Sequence, residues 1–308
     1  MYVTVISFII WGFFNFYMIE FRGEISPINV IVFLYIFAFS FMSLYRLFSQ
    51  ETLLLNFKEK VINITAGVAQ AVVYILYFYL LFLFPSDSIL IVVFYNLFGL
   101  VLVLFDAWLF QTKNDKIEYG ILLAVLFLSL FLVIKTQFIL GRTIENISFH
   151  SLYGFVPALF AALVGILYKY SSNFKSTTLL SLVHSNFQLL FYRSMGGLGV
   201  SFFVYLCFLY FTQVPFEIKY IEVKLGLLYS LFPFLISHML YSISLYKKAS
   251  ILVLSVFMNL SPVITIASMY YFSDIIYELD SIVLISIVLI LVLSTVLSVY
   301  HKNKEKLT

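Results

Sequence analysis

Arg193 carries a charge within an otherwise apolar part of this sequence. It is the seventh residue of the stretch 187–212, whose other residues are uncharged. A charged side chain at the centre of a bilayer costs at least about 2.5 kcal/mol on insertion scales, so it needs a partner or water. Arg193 could therefore bind an anionic group such as a carboxylate, or gate a cavity. Alternatively, it is a structural arginine that snorkels to the interface or bonds backbone carbonyls.

Two further stretches carry polar and aromatic side chains at helical spacing. Gln70, Tyr74 and Tyr77 share one helical face, as do His238 and Tyr241. Facing each other, these stripes would form the walls of one binding cavity. His238 could bind a substrate or relay a proton, or it could form a packed hydrogen bond between helices. The tyrosines could instead belong to an aromatic belt at the membrane interface.

One short motif occurs twice. Asn96 and Asn259 each lie in an F-x-N-L sequence near the middle of an apolar stretch. A residue that distorts helices follows three positions later, Gly99 in one case and Pro262 in the other. The asparagines could contact a substrate beside a locally opened backbone, with Gly99 and Pro262 as hinges. They could also be hydrogen-bonding links between helices, worth about 0.6 kcal/mol on average.

Catalytic chemistry has little support in this sequence. It contains no G-x-S-x-G, H-E-x-x-H or P-loop lysine motif. The histidines are too scattered for a metal site, and the single cysteine allows no intrachain disulfide. We therefore expect no enzyme activity, catalytic residue, metal or cofactor.

The composition indicates an all-α integral membrane protein. Hydrophobic residues make up 63% of the chain and charged residues 11%, whereas soluble domains carry about 25% charged residues. The mean hydropathy is +1.07. Apolar runs long enough to cross a bilayer as helices recur ten times. We place these spans at 2–19, 28–48, 62–84, 88–110, 119–138, 151–170, 187–212, 225–246, 249–272 and 280–300.

The basic residues predict the orientation of these spans. With ten spans and a cytoplasmic N-terminus, twelve Lys and Arg residues fall on the cytoplasmic side and five on the other. The positive-inside rule therefore favours a cytoplasmic location for both termini. Ten spans divide into a five-helix repeat at 1–142 and a second repeat at 143–308. An odd number of spans per repeat inverts one half relative to the other.

Several motifs resemble those of one transporter family. They are Trp11-Gly12 with Asn15, Ser26-Pro27, Phe191-Tyr192-Arg193, the small-residue face from Gly154 to Gly165, and Tyr241 through Pro262. This pattern resembles the ten-span EamA-type members of the drug/metabolite transporter superfamily. The resemblance implies an alternating-access carrier with a central cavity between two five-helix halves. It adds Trp11 and Asn15 as cavity residues.

These observations together predict a secondary transporter of a small organic metabolite. The expected cargo is an amino acid or related amphipathic solute, exported or exchanged across a bacterial inner or plasma membrane. A quaternary amine or other cationic solute is the alternative cargo, since aromatic faces attract cations. An intramembrane enzyme and a structural membrane protein are the alternatives to transport. The expected partners are the solute and membrane lipid, not nucleic acid, and the protein would be a monomer or weak homodimer.

The expected coupling follows from the positions of the acidic residues. No carboxylate lies clearly in the middle of a span, and Glu20 and Asp106 are the nearest. Proton-coupled carriers often use a buried Asp or Glu. We therefore expect facilitated diffusion, exchange or coupling through histidine.

Overall fold

A computed structural model describes most of the chain as helices joined by short connections. The described residues are 2–49, 55–111, 115–139, 149–171, 179–213, 217–246, 250–272 and 281–305, and no strand occurs among them. Their α-helices are α1 (Tyr2–Glu20), α2 (Pro27–Phe48), α3 (Phe57–Leu83), α4 (Ser88–Asn96), α5 (Phe98–Phe110), α6 (Lys116–Ile139), α7 (Phe155–Ser171), α8 (Leu179–Thr212), α9 (Tyr220–Tyr229), α10 (His238–Tyr246), α11 (Ile251–Met258), α12 (Leu260–Phe272) and α13 (Ser281–Glu305). Two 3₁₀ segments, Pro85–Asp87 and Phe149–Gly154, precede α4 and α7, and a π-helical segment, Ser230–Ser237, joins α9 to α10.

Seven helical stretches are long and apolar enough to cross a membrane among the described residues. They are Pro27–Phe48, Phe57–Leu83, Leu90–Phe110, His150–Tyr170, Ser185–Thr212, Tyr220–Tyr241 and Ile251–Met269. Two shorter apolar helices, Val5–Glu20 and Ile285–His301, accompany them. The fold is therefore that of an all-helical, multi-pass membrane protein. The count of ten spans stays a prediction.

Both helices that contain the repeated motif are interrupted at it. Helix α4 ends at Asn96, and α11 ends at Met258, directly before Asn259. The Asn96 side-chain amide donates to the carbonyl of Val92 at 2.6 Å, and that of Asn259 donates to Ser255 at 3.1 Å. Each asparagine thus satisfies a carbonyl one turn earlier, where the regular helical bonding ends.

The two predicted hinge residues begin the helices that follow these breaks. Pro262 is the third residue of α12, and Gly99 is the second residue of α5. In the first turn of a helix the missing amide hydrogen of proline has no helical acceptor to lose. Gly99 packs on the backbone of Ser255, where an added Cβ would lie 3.1 Å from the carbonyl oxygen. The start of α5 therefore packs directly on α11.

Glycines allow helices α3 and α8 to pack with their backbones in contact. A Cβ added to Gly67 would collide with the backbone of Arg193, and one added to Gly196 would collide with that of Ile64. Small residues at a helix interface permit this close approach in membranes. Gly199, on the same helix α8, has open space at its Cβ position. The sequence pattern alone does not indicate this contact.

Helices α6 and α13 pair at the edge of the bundle and are joined by charged residues at one end. Asp115 and Glu118 form a capping box at the start of α6, with bonds of 2.8 and 2.9 Å. Lys304 of α13 donates to Asp115 at 3.1 Å and to Glu118 at 3.0 Å. His301 Nδ1 lies 2.6 Å from a Glu118 oxygen. These bonds link the two helix ends.

The same bonds change the acidity of the two carboxylates. The bond from the Glu118 backbone N–H, with further bonds from Tyr300 and Lys304, lowers the pKa of Asp115 from 3.8 to about 2. Burial raises the pKa of Glu118, but bonds from His301, from the Asp115 N–H and from Lys304 outweigh it, so the net shift is downward. Both carboxylates are therefore held in the charged form.

Candidate functional site

A cavity of about 690 Å³, a volume that includes its open mouth, lies between the helices of the bundle. Its described lining residues are Ser7, Phe8, Trp11, Asn15, Gln70, Val73, Tyr74, Tyr95, Asn96, Phe98, Ala161, Val164, Gly165, Tyr168, His238, Tyr241, Met258 and Ser261. Most of the residues that the sequence analysis singled out thus line one cavity: Trp11, Asn15, Gln70, Tyr74, Asn96, His238 and Tyr241.

Gln70 is the centre of a buried hydrogen-bond network on the cavity wall. Its Oε1 accepts a bond from the Tyr168 hydroxyl at 2.7 Å, and its Nε2 donates to the Tyr74 hydroxyl at 2.7 Å. Nε2 also bonds Nε2 of His238. An amide nitrogen only donates, so in this arrangement Nε2 of His238 accepts the bond. The network therefore joins α3, α7 and α10 at the cavity wall.

Helix α10 positions His238 directly after the π-helical segment. Pro233, within that segment, lacks the amide hydrogen that regular helical bonding would use, and a π turn accommodates such a gap. Ser237, the last π residue, bonds Ser7 of α1: their hydroxyl oxygens lie 2.6 Å apart. The π segment thus ties α10 to α1 where His238 reaches the cavity.

Aromatic rings surround the imidazole of His238. The rings of Trp11, Tyr168 and Phe234 meet it edge to face, with centroid distances of 6.0, 5.4 and 5.8 Å. Trp11 also packs against Tyr74 at 5.6 Å. Trp11 lies beside Gly12, which lets α1 approach α12: a Cβ there would lie 2.7 Å from the Ser261 carbonyl oxygen. Close packing of α1 on α12 therefore accompanies the placement of Trp11 at the cavity.

Arg193 lies outside the described lining of this cavity. Its guanidinium carbon is 3.5 Å from the centroid of the Tyr168 ring, and its Nε donates to Oδ1 of Asn63 at 2.9 Å. Only 1% of Arg193 is exposed. The charge is therefore stabilised by a cation–π contact and a hydrogen bond between helices α3, α7 and α8. Arg193 therefore contacts Tyr168 and Asn63 in the protein interior, and the binding role predicted for it stays a prediction.

Two lining residues have polar atoms without a hydrogen-bond partner among the described residues. Asn15 donates from Nδ2 to the Ser261 hydroxyl at 3.1 Å, while its Oδ1 is unpaired. The Tyr241 hydroxyl is also unpaired. Asn15 is 2% exposed and Tyr241 7%. A buried polar atom without a partner costs about 1–3 kcal/mol, so both atoms are suited to bonding a bound molecule.

Tyr77, Asn259, Gly99 and Pro262 do not belong to the described lining. Tyr77 is buried behind the wall and stacks on the lining residue Tyr95, with centroids 4.3 Å apart. Met258, directly before Asn259, and Ser261, two residues after it, do line the cavity. Tyr77 thus supports the wall from behind, whereas Asn259, Gly99 and Pro262 each directly follow a lining residue in the chain.

Tyr168 is the main site residue that the sequence analysis missed. It connects Gln70 to Arg193 and lines the cavity. Ala161, Gly165 and Tyr168 are spaced i, i+4 and i+7, so the small-residue face of α7 points to Tyr168. Tyr168 lies next to Lys169, at the end of the predicted span 151–170, and this position gives no indication of a cavity residue.

An ion pair with a buried carboxylate joins α5 and α7. Nζ of Lys169 lies 2.5 Å from Oδ1 of Asp106, and it also lies 4.5 Å from the centroid of the Phe110 ring. Asp106 is 4% exposed. A buried carboxylate is stable when a cation pairs with it, so Lys169 neutralises the carboxylate that the sequence placed near a span end.

Comparison with known proteins gives the fold but no family. No protein-family model matches the chain, and no curated protein matches it. A solved structure described only as "Crystal structure of protein" matches 97% of this chain and 96% of its own, with a TM-score of 0.68 and 15% identity. At this identity the likeness concerns the fold alone.

Proposed function

We propose that the protein is a secondary carrier that moves a small organic solute across a membrane by alternating access. The observation that carries this proposal is the cavity, whose lining comes from both halves of the chain. The segments α1, α3, α4 and α5 contribute from the first half, and α7, α10, α11 and α12 contribute from the second. A solute held between two halves can be released to either side when the halves rock against each other.

The pattern of helix contacts supports two equivalent halves. The helices can be paired in chain order: α1 with α7, α2 with α8, α3 with α9–α10, α4–α5 with α11–α12, and α6 with α13. Each major contact between helices then has a counterpart. The contact of α3 with α8 matches that of α9 with α2, and the contact of α1 with α12 matches that of α7 with α5. The α2–α8 and α6–α13 contacts each join two corresponding helices, so each of these contacts is its own counterpart. Ten spans as two inverted repeats, at 1–142 and 143–308, would give this pattern.

The two interrupted helices support a moving element beside the solute. Each break carries an asparagine, and Gly99 after one break packs on the α11 backbone before the other. Regular helical bonding is already broken there, so small rotations of α5 and α12 would cost fewer hydrogen bonds. Gly99 and Pro262 are accordingly proposed as hinge residues.

The motifs shared with the EamA-type drug/metabolite transporters point to the same function. On that resemblance the protein would lie in a bacterial inner or plasma membrane as a monomer or weak homodimer, with both termini cytoplasmic. The cargo would be a small amphipathic metabolite. Arg193 lies behind Tyr168, so a carboxylate need not be part of that cargo. The aromatic lining also keeps a cationic cargo as a second candidate.

Site-directed labelling tests alternating access without knowledge of the cargo. Cys207 is the single cysteine, so Cys207→Ser gives a background for Ser261→Cys in the cavity. A carrier exposes this position to a membrane-impermeant maleimide from either face, in right-side-out and in inverted vesicles. Ser194→Cys, at a buried position outside the described lining, is the unreactive control. Labelling of Ser261→Cys from one face alone would contradict the proposal and favour a receptor or enzyme pocket.

A further inference from the structure

We infer that the cavity selects an uncharged, planar aromatic or heteroaromatic molecule that carries an N–H donor. This inference names the cargo class and rests on the proposed function for its transport role. Three properties of the lining support it: its charge, its ring faces and its two unpaired polar atoms.

The charge of the lining disfavours ionic guests. The described lining residues include no Asp, Glu, Lys or Arg. An anion would therefore find no cationic side chain there, and a cation would find no carboxylate. The buried guanidinium of Arg193 covers one face of Tyr168 and adds positive potential behind the wall, which further disfavours a cation. Burial of an ion without a partner costs several kcal/mol, which an uncharged molecule avoids.

The ring faces favour a planar guest. Trp11, Tyr74 and Tyr168 lie around His238. The centroid of each of these rings is 5.4 to 6.2 Å from that of a neighbouring ring. The Tyr74 and Tyr168 hydroxyls and the His238 imidazole are hydrogen-bonded to Gln70, so these three rings are fixed before a guest arrives. A flat aromatic molecule gains stacked or edge-to-face contacts with such rings at little ordering cost.

The two unpaired atoms specify a hydrogen-bonding group on that ring. Oδ1 of Asn15 only accepts, so it matches an N–H or O–H donor of the guest. The Tyr241 hydroxyl can donate or accept, so it matches either an acceptor or a second donor. Asn15 comes from α1 and Tyr241 from α10, so the two atoms belong to the two proposed halves of the chain.

Four pyridines of nearly equal shape separate the charge and donor requirements. Nicotinamide is uncharged and has N–H donors, and 3-acetylpyridine replaces its amino group by a methyl group. Nicotinate is an anion, and 1-methylnicotinamide is a permanent cation. The corresponding four quinolines provide a larger ring. Thermal stabilisation of the purified protein in detergent, titrated for each compound, gives the apparent affinities.

We expect a neutral amide to bind best within each ring series. The acetyl analogue should bind about tenfold more weakly, equivalent to ~1.4 kcal/mol, because the bond to Asn15 is lost. The anion and the cation should stabilise the protein least. An ion as the best ligand in both series, equal binding of amide and acetyl compounds, or no stabilisation by any of the eight compounds would overturn the inference.

Variants with matched controls connect the selectivity to the two atoms. Asn15→Leu should abolish the preference for the amide over the acetyl compound, whereas Asn186→Leu should keep it, since Asn186 is buried with an unpaired Nδ2 but lies outside the described lining. Tyr241→Phe should weaken amide binding, and Tyr77→Phe should not. Asn15→Asp should shift the preference toward the cation. Loss of amide selectivity in both asparagine variants would show that the effect is structural.

Failure of this inference is distinguishable from failure of the proposed function. Binding in detergent requires no transport, whereas labelling from both membrane faces requires no particular ligand. Selective amide binding with labelling from one face alone would keep the inference and contradict the carrier. Labelling from both faces, with an ion as the best ligand, would keep the carrier and contradict the inference.

Discussion

The guanidinium carbon of Arg193 lies 3.5 Å from the centroid of the Tyr168 ring, and the Tyr168 hydroxyl donates to Gln70. This contact links a buried cation on α8 to the cavity wall on α3 and α7. The cation supports the wall from behind, and Tyr168 separates it from the cavity. Arg193, the residue with the clearest potential for binding a carboxylate, thus contacts the described cavity lining through Tyr168.

Replacement of Arg193 should reduce stability more than it changes ligand charge preference. Arg193→Met leaves Oδ1 of Asn63 without its donor, at a cost of about 1–3 kcal/mol. Thermal unfolding in detergent measures this loss. In a double-mutant cycle, Asn63→Leu should add little to Arg193→Met, because both changes remove the same bond. Unchanged stability, together with loss of carboxylate binding, would instead establish Arg193 as a ligand anchor.

The contact between α3 and α8 should tolerate no methyl group at its glycines. Gly67→Ala and Gly196→Ala each force a Cβ against the backbone of the opposite helix, so each should cost about 1–3 kcal/mol. Gly199→Ala on the same helix has free space and should leave the melting temperature unchanged or slightly higher. Equal melting temperatures for all three variants would show that the helices are packed less closely.

A methyl group at Gly99 should slow transport while binding is retained. Its Cβ would lie 3.1 to 3.3 Å from Ser255 atoms, so α5 would move less freely against α11. We expect the exchange rate in proteoliposomes to fall about tenfold, which corresponds to ~1.4 kcal/mol in the barrier. Gly120→Ala, where a Cβ meets no atom within 4 Å, is the control. A normal rate for Gly99→Ala would exclude Gly99 as a hinge.

The link between α6 and α13 should depend on the charge of Asp115. Because the folded-state pKa is about 2, below the ordinary 3.8, the stabilisation is complete above pH 3.8 and is lost as the pH falls towards 2. Asp115→Asn should therefore melt at a lower temperature than the wild type at pH 7, and the difference should narrow at pH 3. A difference that stays constant from pH 7 to pH 3 would exclude this carboxylate as its source.

Most of the site residues that the sequence predicts are predicted from helical periodicity. The spacing of Gln70 and Tyr74, and that of His238 and Tyr241, placed their side chains on common faces, and all four line the cavity. Tyr77 is on the same helical face as Gln70 and Tyr74, but it lies behind the cavity wall and stacks on Tyr95. Sequence spacing gives the face of a helix, but how far a side chain lies from the cavity depends on the packing of other helices.

Long-range contacts explain what the sequence could not predict. The bond from Tyr168 to Gln70 spans two helices that are distant in the chain, and so does the ion pair of Lys169 with Asp106. Spacing predicts Gln70 for the cavity wall and Asp106 near a span end, but it cannot identify their partners, Tyr168 and Lys169. The backbone contact at Gly67 likewise depends on which helix lies opposite. The repeated motif is visible in the sequence because its bonds are local: Asn96 and Asn259 each bond a carbonyl four residues earlier.

Solute counterflow tests the carrier most directly. Proteoliposomes are loaded with the unlabelled compound that best stabilises the purified protein, and a trace of the labelled compound is added outside. A carrier exchanges one for the other, so we expect labelled solute to accumulate transiently above its equilibrium level, and Gly99→Ala to delay the peak. Entry that rises only to equilibrium, at the rate of protein-free liposomes, would contradict transport by this protein.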